Sequence, residues 1–183
     1  GSHLKLEADY IPTIYAYARQ KESDNLQNNL RSLMTVEAVD KFFFVDASAN
    51  IYQSFISPFV ARPTSGASVT QNRTQQTTLG LSPYIRSESN RGWTYLVRND
   101  NLWNTYSATG LGSSLSNSLT AKFESPPARL RYAFDYDYLH TSYESGPNSS
   151  YQQVGRFIPS LTATPRLMLS ARLGYETNDY TAT

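Results

Sequence analysis

The 183-residue sequence contains no cysteine, and no stretch of it approaches the roughly 20 apolar residues of a membrane-spanning helix. The absence of cysteine suits a protein that crosses the oxidising bacterial periplasm. Charged residues are only 17 % and apolar residues only 39 % of the chain, against about 25 % and about 45–50 % in soluble domains. This composition disfavours an ordinary globular core, and the net charge of +1 gives no case for nucleic-acid binding.

Aromatic residues fill part of this gap, with 14 Tyr and 8 Phe, and their order along the chain is informative. Between Arg129 and His140, large apolar and aromatic residues alternate with charged or small ones. Because successive strand side chains point to opposite sides, the segment predicts a strand with one apolar face and one charged face. Its length of about a dozen residues exceeds an average strand and matches the 9–11 residues of a tilted membrane-crossing strand.

The same alternation recurs along the chain and predicts about nine strands with no helix. Their approximate positions are 4–19, 29–39, 43–52, a segment ending near 86, 92–106, 115–124, 129–140, 151–161 and 167–176. Pro12 and Pro83 fall inside predicted strands, and the blurred phase from Asp100 to Trp103 predicts a bulge. The alternation of the eighth strand is too poor to assign its faces.

The predicted connections alternate between long and short, as in outer-membrane barrels with short periplasmic turns and longer extracellular loops. The sequence therefore predicts an all-β, antiparallel up-and-down transmembrane β-barrel in the bacterial outer membrane, with lipid as a partner. Short turns at Asp40, Asn90, Pro127 and Thr164 are assigned to the periplasmic rim, and Ser23, Ser65, Gly110 and Gly146 to the outside. A soluble sandwich or barrel with one wet face is the alternative.

Alternation also divides the side chains into two candidate sets. Lipid-facing candidates are Leu130, Tyr132, Phe134, Tyr136, Leu169 and Leu173. Lumen-lining candidates are Arg129, Arg131, Asp135, Asp137, Arg166, Arg172, Glu176, Asp46 and Asn50, together with Lys5, Glu7, Asp9, Arg31, Glu37, Arg98 and Lys122. Aromatic residues on the lumen side could stack on sugar rings, but polar lumen residues that only solvate or plug the barrel explain the pattern better. These aromatic residues are Phe44, Tyr52, Tyr15 and Tyr17.

We expect no cofactor and no resident metal. Asp135 and Asp137 could bind calcium, but a role beside Arg129 and Arg131 in the lumen wall explains them better. One histidine outside the first three residues does not make a zinc site. No nucleotide-binding glycine motif is present.

Residues 1–3 are typical of a tag remnant, and residues 4–183 are expected to form one barrel domain. Single-chain bacterial barrels close with an even strand number, and an open edge is not viable in lipid. The odd count and the polar ending Tyr180 to Thr183 therefore predict three possibilities: a strand count in error, missing strands of a larger barrel, or closure by several copies.

Short segments in order along the chain resemble the outer-membrane proteins of the PEP-CTERM/exosortase system of exopolysaccharide-producing Gram-negative bacteria. The segments are Phe43 to Ala49, Ser57 to Phe59, Asn72 to Thr74, Leu81 to Tyr84, Thr164 to Leu167 and Gly174 to Tyr180. The resemblance implies an outer-membrane barrel linked to polysaccharide export, with exopolysaccharide or export-machinery proteins as partners. It supplies no catalytic motif.

Three functions follow as hypotheses. The first is a non-enzymatic, porin-like conduit or scaffold in exopolysaccharide export or surface assembly. The second is a surface adhesin or receptor that binds through extracellular loops, with the Phe55 to Arg73 segment as its epitope. The third and weakest is a hydrolase at the barrel rim, in which His140 acts with Ser142 and Glu144.

Overall fold

A computed structural model describes residues 3–16, 25–56, 72–87, 92–108, 111–144 and 148–181. Its elements are β1 (Leu4–Tyr10), β2 (Thr13–Tyr15), β3 (Asn25–Gln27), β4 (Leu30–Val39), β5 (Phe43–Phe55), β6 (Arg73–Ser87), β7 (Thr94–Tyr106), β8 (Ser114–Glu124), β9 (Leu130–Tyr143), β10 (Ser149–Thr164), β11 (Leu167–Ser170) and β12 (Leu173–Thr181). The described residues are thus all-β. No helix among them has the length and apolarity needed to cross a membrane.

The strands form one antiparallel up-and-down sheet in the order β1-β4-β5-β6-β7-β8-β9-β10-β11, with β12 also pairing β10 and a small β2–β3 ladder beside them. Each sheet neighbour is the next long strand along the chain, as in a meander. No hydrogen-bonded pairing joins β1 to β11 or β12 among the described residues, so the sheet is open where it is described.

The first predicted strand is interrupted instead of running on to Arg19. Tyr10 pairs Leu30 and Thr13 pairs Gln27, so β1–β2 and β3–β4 keep one register on both sides of the break. Pro12 lies at the break and has no N–H to donate to a ladder. Residues 17–24, including the predicted end of this strand, lie outside the described part of the chain.

The ninth predicted strand is also interrupted. β11 and β12 share one register against β10, because Ser170 pairs Ser160 and Leu173 pairs Phe157. The Ala171 N–H still donates to the Pro159 carbonyl at 3.1 Å. β11 and β12 are therefore two parts of one edge strand, and the sheet has nine strand positions.

The registers divide the side chains into two faces, since directly paired residues of an antiparallel ladder lie on the same side. Asp46 of β5 pairs Thr35, Asp137 of β9 pairs Thr120, and both rows belong to what we call the charged face. The opposite side, which we call the apolar face, carries for example Phe123 paired with Phe134. Register also assigns β10, whose faces the sequence left open: Arg156 lies on the charged face and Phe157 on the apolar face.

Burial is inverted relative to a soluble domain. Phe44 and Val154, the buried apolar residues of the described chain, both lie on the charged face, at 7 % and 8 % exposure. On the apolar face, Leu130 is 57 % exposed and Leu173 is 62 % exposed. A soluble sandwich would bury this apolar face, whereas the face is exposed in the described part of the chain.

The bulge predicted from Asp100 to Trp103 is wrong. β7 keeps one unbroken register against β8 from Thr94–Glu124 to Asn104–Ser114. The phase blurs in the sequence because Asn99 and Asn101 lie on the apolar face, while Asp100 lies on the charged face. Polar side chains on both faces imitate the shift that an extra residue would cause.

Candidate functional site

The charged face collects the predicted lumen residues that lie within strands. Six of the nine occupy it by register: Asp46, Asn50, Arg131, Asp135, Asp137 and Glu176. The other three lie outside the strands, Arg129 before β9, Arg166 in the turn after β10, and Arg172 between β11 and β12. Sequence alternation therefore grouped the strand residues and could not place those in turns.

Arg98 is the centre of the densest charged cluster. Its Nη1 donates to Asp46 Oδ2 at 2.8 Å, and its Nε donates to Asp100 Oδ1 at 2.7 Å. The Thr35 hydroxyl donates to the other oxygen of Asp46 at 2.8 Å. The Asp46 side chain is 17 % exposed and that of Arg98 is 29 % exposed. The cluster ties β4, β5 and β7 together on one side of the sheet and leaves a net charge of −1.

Cations and aromatic rings form a column next to this cluster. The Arg86 guanidinium lies 4.7 Å from the Phe44 ring centroid, and Phe44 stacks on Tyr84 at 5.1 Å. Arg98 lies 4.9 Å from the Tyr84 ring on the same face. Contacts of this geometry are favourable because the negative ring face attracts a cation. The column explains why Phe44 is buried on a face that is otherwise polar.

Phe44, one of the aromatic residues that could stack on a sugar, is largely covered. It is 7 % exposed and contacts Tyr84 and Arg86, so little of its ring surface is open. Tyr52, which shares the charged face, is 42 % exposed and keeps that capacity. Tyr15 lies in β2 and is half-exposed, and Tyr17 lies outside the described residues.

A second charged cluster spans β8, β9 and β10. Arg156 Nη1 donates to Asp137 Oδ2 at 2.9 Å, and the Thr120 hydroxyl donates to Asp137 Oδ1 at 3.1 Å. Asp135 lies directly opposite both Lys122 and Arg156 in the ladders. Further along, Glu176 accepts from Gln152 at 3.0 Å and from Asn178 at 3.1 Å. Carboxylates on this face are thus matched by cations or amides.

An open cavity of about 660 Å³ lies at the end of the charged face near the β4–β5 turn. Its wall includes Lys5, Glu37, Lys41, Tyr84 and Arg86. Glu37 is already engaged, since its Oε1 accepts from the Lys41 N–H at 2.6 Å. The cavity wall therefore has more positive than negative charge and belongs to the same polar surface as the Arg98 cluster.

Catalytic and metal chemistry find little support in the described residues. Among them, no group of three or more His, Asp or Glu is placed to hold a metal ion. His140 lies on the apolar face opposite Asn117 and Tyr151. Ser142 donates to the Leu115 carbonyl at 3.4 Å, and no hydrogen bond joins His140 to Ser142 or Glu144.

The predicted lipid-facing residues share the apolar face. Leu130, Phe134, Leu169 and Leu173 are 57, 46, 55 and 62 % exposed, and Tyr132 is 41 % exposed. Tyr136 is half-exposed on the same face. Both tryptophans belong to this side: Trp103 pairs Leu115, and Trp93 contacts Tyr132 at 5.6 Å between ring centroids. These side chains are exposed on one side of the sheet.

Sequence reasoning missed four charged or aromatic members of the clusters and the adjoining column: Tyr84, Arg86, Asp100 and Arg156. Arg156 lies in β10, whose faces the sequence could not assign, and only the ladder shows that it lies opposite Asp135. Leu79, Leu81 and Pro83 lie at odd-numbered positions, and Tyr84 and Arg86 lie at even-numbered positions of the same strand. Alternation alone could therefore have assigned Tyr84 and Arg86 to the face opposite the apolar residues. Most of the Phe55 to Arg73 segment, the predicted epitope, lies outside the described residues, as do Asn90, Ser23, Ser65, Gly110 and Gly146.

The chain matches no family model, no curated protein and no solved structure. The resemblance to exosortase-associated outer-membrane proteins therefore stays a prediction.

Proposed function

We propose that the chain forms the wall of a transmembrane β-barrel in a bacterial outer membrane, with the apolar face toward lipid and the charged face toward the lumen. The inverted burial supports this: the exposed face is apolar, and the clustered charges are on the other side. Lipid-facing and lumen-facing residues alternate in this way in membrane barrels. The observation that carries the proposal is the path of the apolar residues across the sheet.

This path is diagonal. One row of directly paired residues crosses the whole sheet, and it consists of Ala8, Ser32, Ala49, Leu79, Trp103, Leu115, Ser142, Ser149 and Thr181. On β1 the row passes through the apolar run Leu4, Leu6, Ala8, Tyr10. On the last strand it reaches Thr181, whereas the apolar run there is centred on Ala171. Relative to the row of paired residues, the apolar run is therefore displaced by about ten residues over eight steps from strand to strand.

The drift gives a strand tilt. Ten residues at about 3.3 Å each are roughly 33 Å along the strands, and eight steps at about 4.8 Å are roughly 38 Å across them. If the apolar run lies parallel to the membrane plane, its slope against the row of paired residues corresponds to a tilt of about 40° between the strands and the membrane normal. Membrane barrels have tilts of about 35–45°. A soluble sheet has no reason to arrange its apolar residues along this particular diagonal.

The two tryptophans, Trp93 directly before β7 and Trp103 within it, give a second check. Trp93 and Trp103 are ten residues apart, which is about 33 Å along β7 and about 25 Å of depth at a 40° tilt. The apolar band of membrane barrels is about 25 Å tall and has aromatic girdles at both interfaces. The midpoint between the tryptophans coincides with the midpoint that the drift predicts for β7, between Val97 and Asn99. On the apolar face of the described strands, this belt contains no charged side chain.

Quenching by brominated lipids tests the membrane proposal. The Trp93→Phe and Trp103→Phe variants each leave one tryptophan, and each is refolded into vesicles with bromine either near the headgroup or near the chain end. We expect both tryptophans to be quenched more strongly by the shallow bromine, and to similar extents. Fluorescence insensitive to both lipids, or quenching mainly by the deep bromine, would contradict the assigned belt.

We further propose that this barrel is a non-enzymatic conduit or scaffold in exopolysaccharide export or surface assembly, with export-machinery proteins as partners. The sequence resemblance supports the link to polysaccharide. The charged face supports a polar lumen of mixed sign, since Lys122, Asp135, Asp137 and Arg156 lie within one patch.

Planar-bilayer recording on the full-length protein tests the conduit. Because both signs of charge line the lumen, we expect conductance with little preference between cations and anions. Lys122→Glu should shift the preference toward cations. Absence of conductance, together with normal polysaccharide secretion after gene deletion, would refute both the conduit and the scaffold role.

A further inference from the structure

Three asparagines break the apolar face. Asn99 and Asn101 of β7 and Asn117 of β8 lie on that face by register, and all three are half-exposed. Asn101 Nδ2 donates to Asn99 Oδ1 at 2.7 Å, and Asn117 Nδ2 donates to Asn101 Oδ1 at 2.7 Å. We call these residues the amide cluster.

The depth of the cluster makes it unusual. Asn99 follows Trp93 by six residues and precedes Trp103 by four, so it lies near the middle of the proposed lipid-facing belt. Asn101 is also within the belt, and Asn117 is close to its edge. Polar side chains at such depth are expensive in hydrocarbon and normally face protein or water. The cluster therefore needs a cover other than lipid.

The hydrogen bonds within the cluster are incomplete. A side-chain amide has two N–H donors and a carbonyl acceptor. Further donations run from Asn99 to the Ser118 carbonyl at 3.0 Å and from Asn101 to the Leu81 carbonyl at 3.4 Å. Three side-chain amide groups have no partner among the described residues: one N–H of Asn99, one N–H of Asn117 and the side-chain carbonyl of Asn117.

The unmet groups are self-complementary. Asn117 offers both a free donor and a free acceptor, so a second copy related by a two-fold axis can exchange two amide hydrogen bonds with it. The cluster has no net charge, and the adjacent Leu81, Leu119 and Trp103 offer apolar contact around it. Polar side chains that bond between neighbouring segments stabilise association in membranes.

We infer that the amide cluster is the centre of an interface between two copies of this chain in the membrane. The inference rests on the proposed membrane function, because in water the same asparagines would be satisfied by solvent. The interface lies on the apolar face of β7 and β8, away from the lumen. The two copies would then associate side by side through their apolar faces, with the charged faces left unchanged.

Cysteine cross-linking tests the interface, since the chain has no cysteine of its own. Leu119→Cys places a thiol directly opposite Asn99 and keeps all three asparagines. Phe157→Cys is the matched control, because it lies at belt depth on the apolar face of β10, two strands away from Leu119. The full-length proteins are refolded into phosphatidylcholine vesicles, recovered by flotation and treated with a short bis-maleimide.

We expect a dimer band for Leu119→Cys and at least about tenfold less for Phe157→Cys. Adding Asn99→Leu, Asn101→Leu and Asn117→Leu to Leu119→Cys should lower the dimer fraction at least about tenfold, while heat-modifiable folding persists. Flotation without a Leu119→Cys dimer, or equal dimer from both thiols, would overturn the interface and leave the membrane proposal intact. Failure to float would overturn both together.

Discussion

A single arginine placed on β9 would measure whether the apolar face meets hydrocarbon. Phe134 lies at the middle of the run from Leu130 to Tyr138 and is 46 % exposed. In a soluble protein, substitution at such an exposed site changes the free energy of unfolding by about 0.5 kcal/mol or less. In a membrane barrel, arginine on the lipid face costs about 2–4 kcal/mol at the midplane and about 0–1 kcal/mol near the interfaces.

The structure converts this depth dependence into a series. Tyr138 is four residues from Phe134, which is about 13 Å along the strand and about 10 Å of depth at a 40° tilt. Phe134→Arg should therefore lower the folding equilibrium constant about 30- to 1000-fold, and Tyr138→Arg less than about tenfold. Phe134→Ala measures the separate loss of the ring, and Ala133→Arg places the same charge on the charged face.

Reversible urea unfolding in lipid vesicles, followed by tryptophan fluorescence and by the heat-modifiable gel shift, gives these free energies. The decisive comparison is Phe134→Arg, corrected by Phe134→Ala, against its sequence neighbour Ala133→Arg. Equal costs at the two positions would show that neither face contacts hydrocarbon. The tilt, the belt and the interface between copies would then all be refuted, because each depends on that contact.

Two further predictions use the same unfolding assay. Arg98→Met leaves Asp46 and Asp100 without their shared cation and should lower the free energy of unfolding by about 1.5–3 kcal/mol. Asp137→Asn breaks the more exposed pair with Arg156, which is 34 % and 41 % exposed, and should lower it by less than about 1 kcal/mol. Equal losses would contradict the assigned burial. Gly80→Ala puts a methyl group 2.5 Å from the Ser48 hydroxyl and 3.1 Å from Leu102 Cδ2, and it should cost about 1 kcal/mol or more. Adding Ser48→Ala should restore part of this loss, and additive losses in that cycle would rule out the clash with the hydroxyl.

Much of the fold could be predicted from the sequence, because alternation is a local property. A residue such as Asp135 is assigned to a face by its immediate neighbours, so alternation placed the strand members of each candidate set together on one face of the sheet. The strand positions followed from the same signal. The exceptions lie where parity has no meaning, as for Arg166 in a turn.

The candidate clusters could not be predicted in the same way, because they depend on register between strands. Asp46 and Arg98 are 52 residues apart and meet only when β5, β6 and β7 align as they do. The column that buries Phe44 has the same origin. The wrongly predicted bulge from Asp100 to Trp103 is the reverse case. There, the asparagines of the amide cluster lie on the apolar face, and in the sequence this looks like a local bulge.

The sequence by itself determined that the chain is built from long alternating strands with one charged and one apolar side. Only the tertiary structure decided how the strands are offset against one another. That offset fixes the diagonal path of the apolar residues, the heights of Trp93 and Trp103 along the sheet, and the position of the amide cluster. The physical reason is that side-chain direction follows from the pleat of one strand, whereas height along the sheet is set by hydrogen bonds between strands.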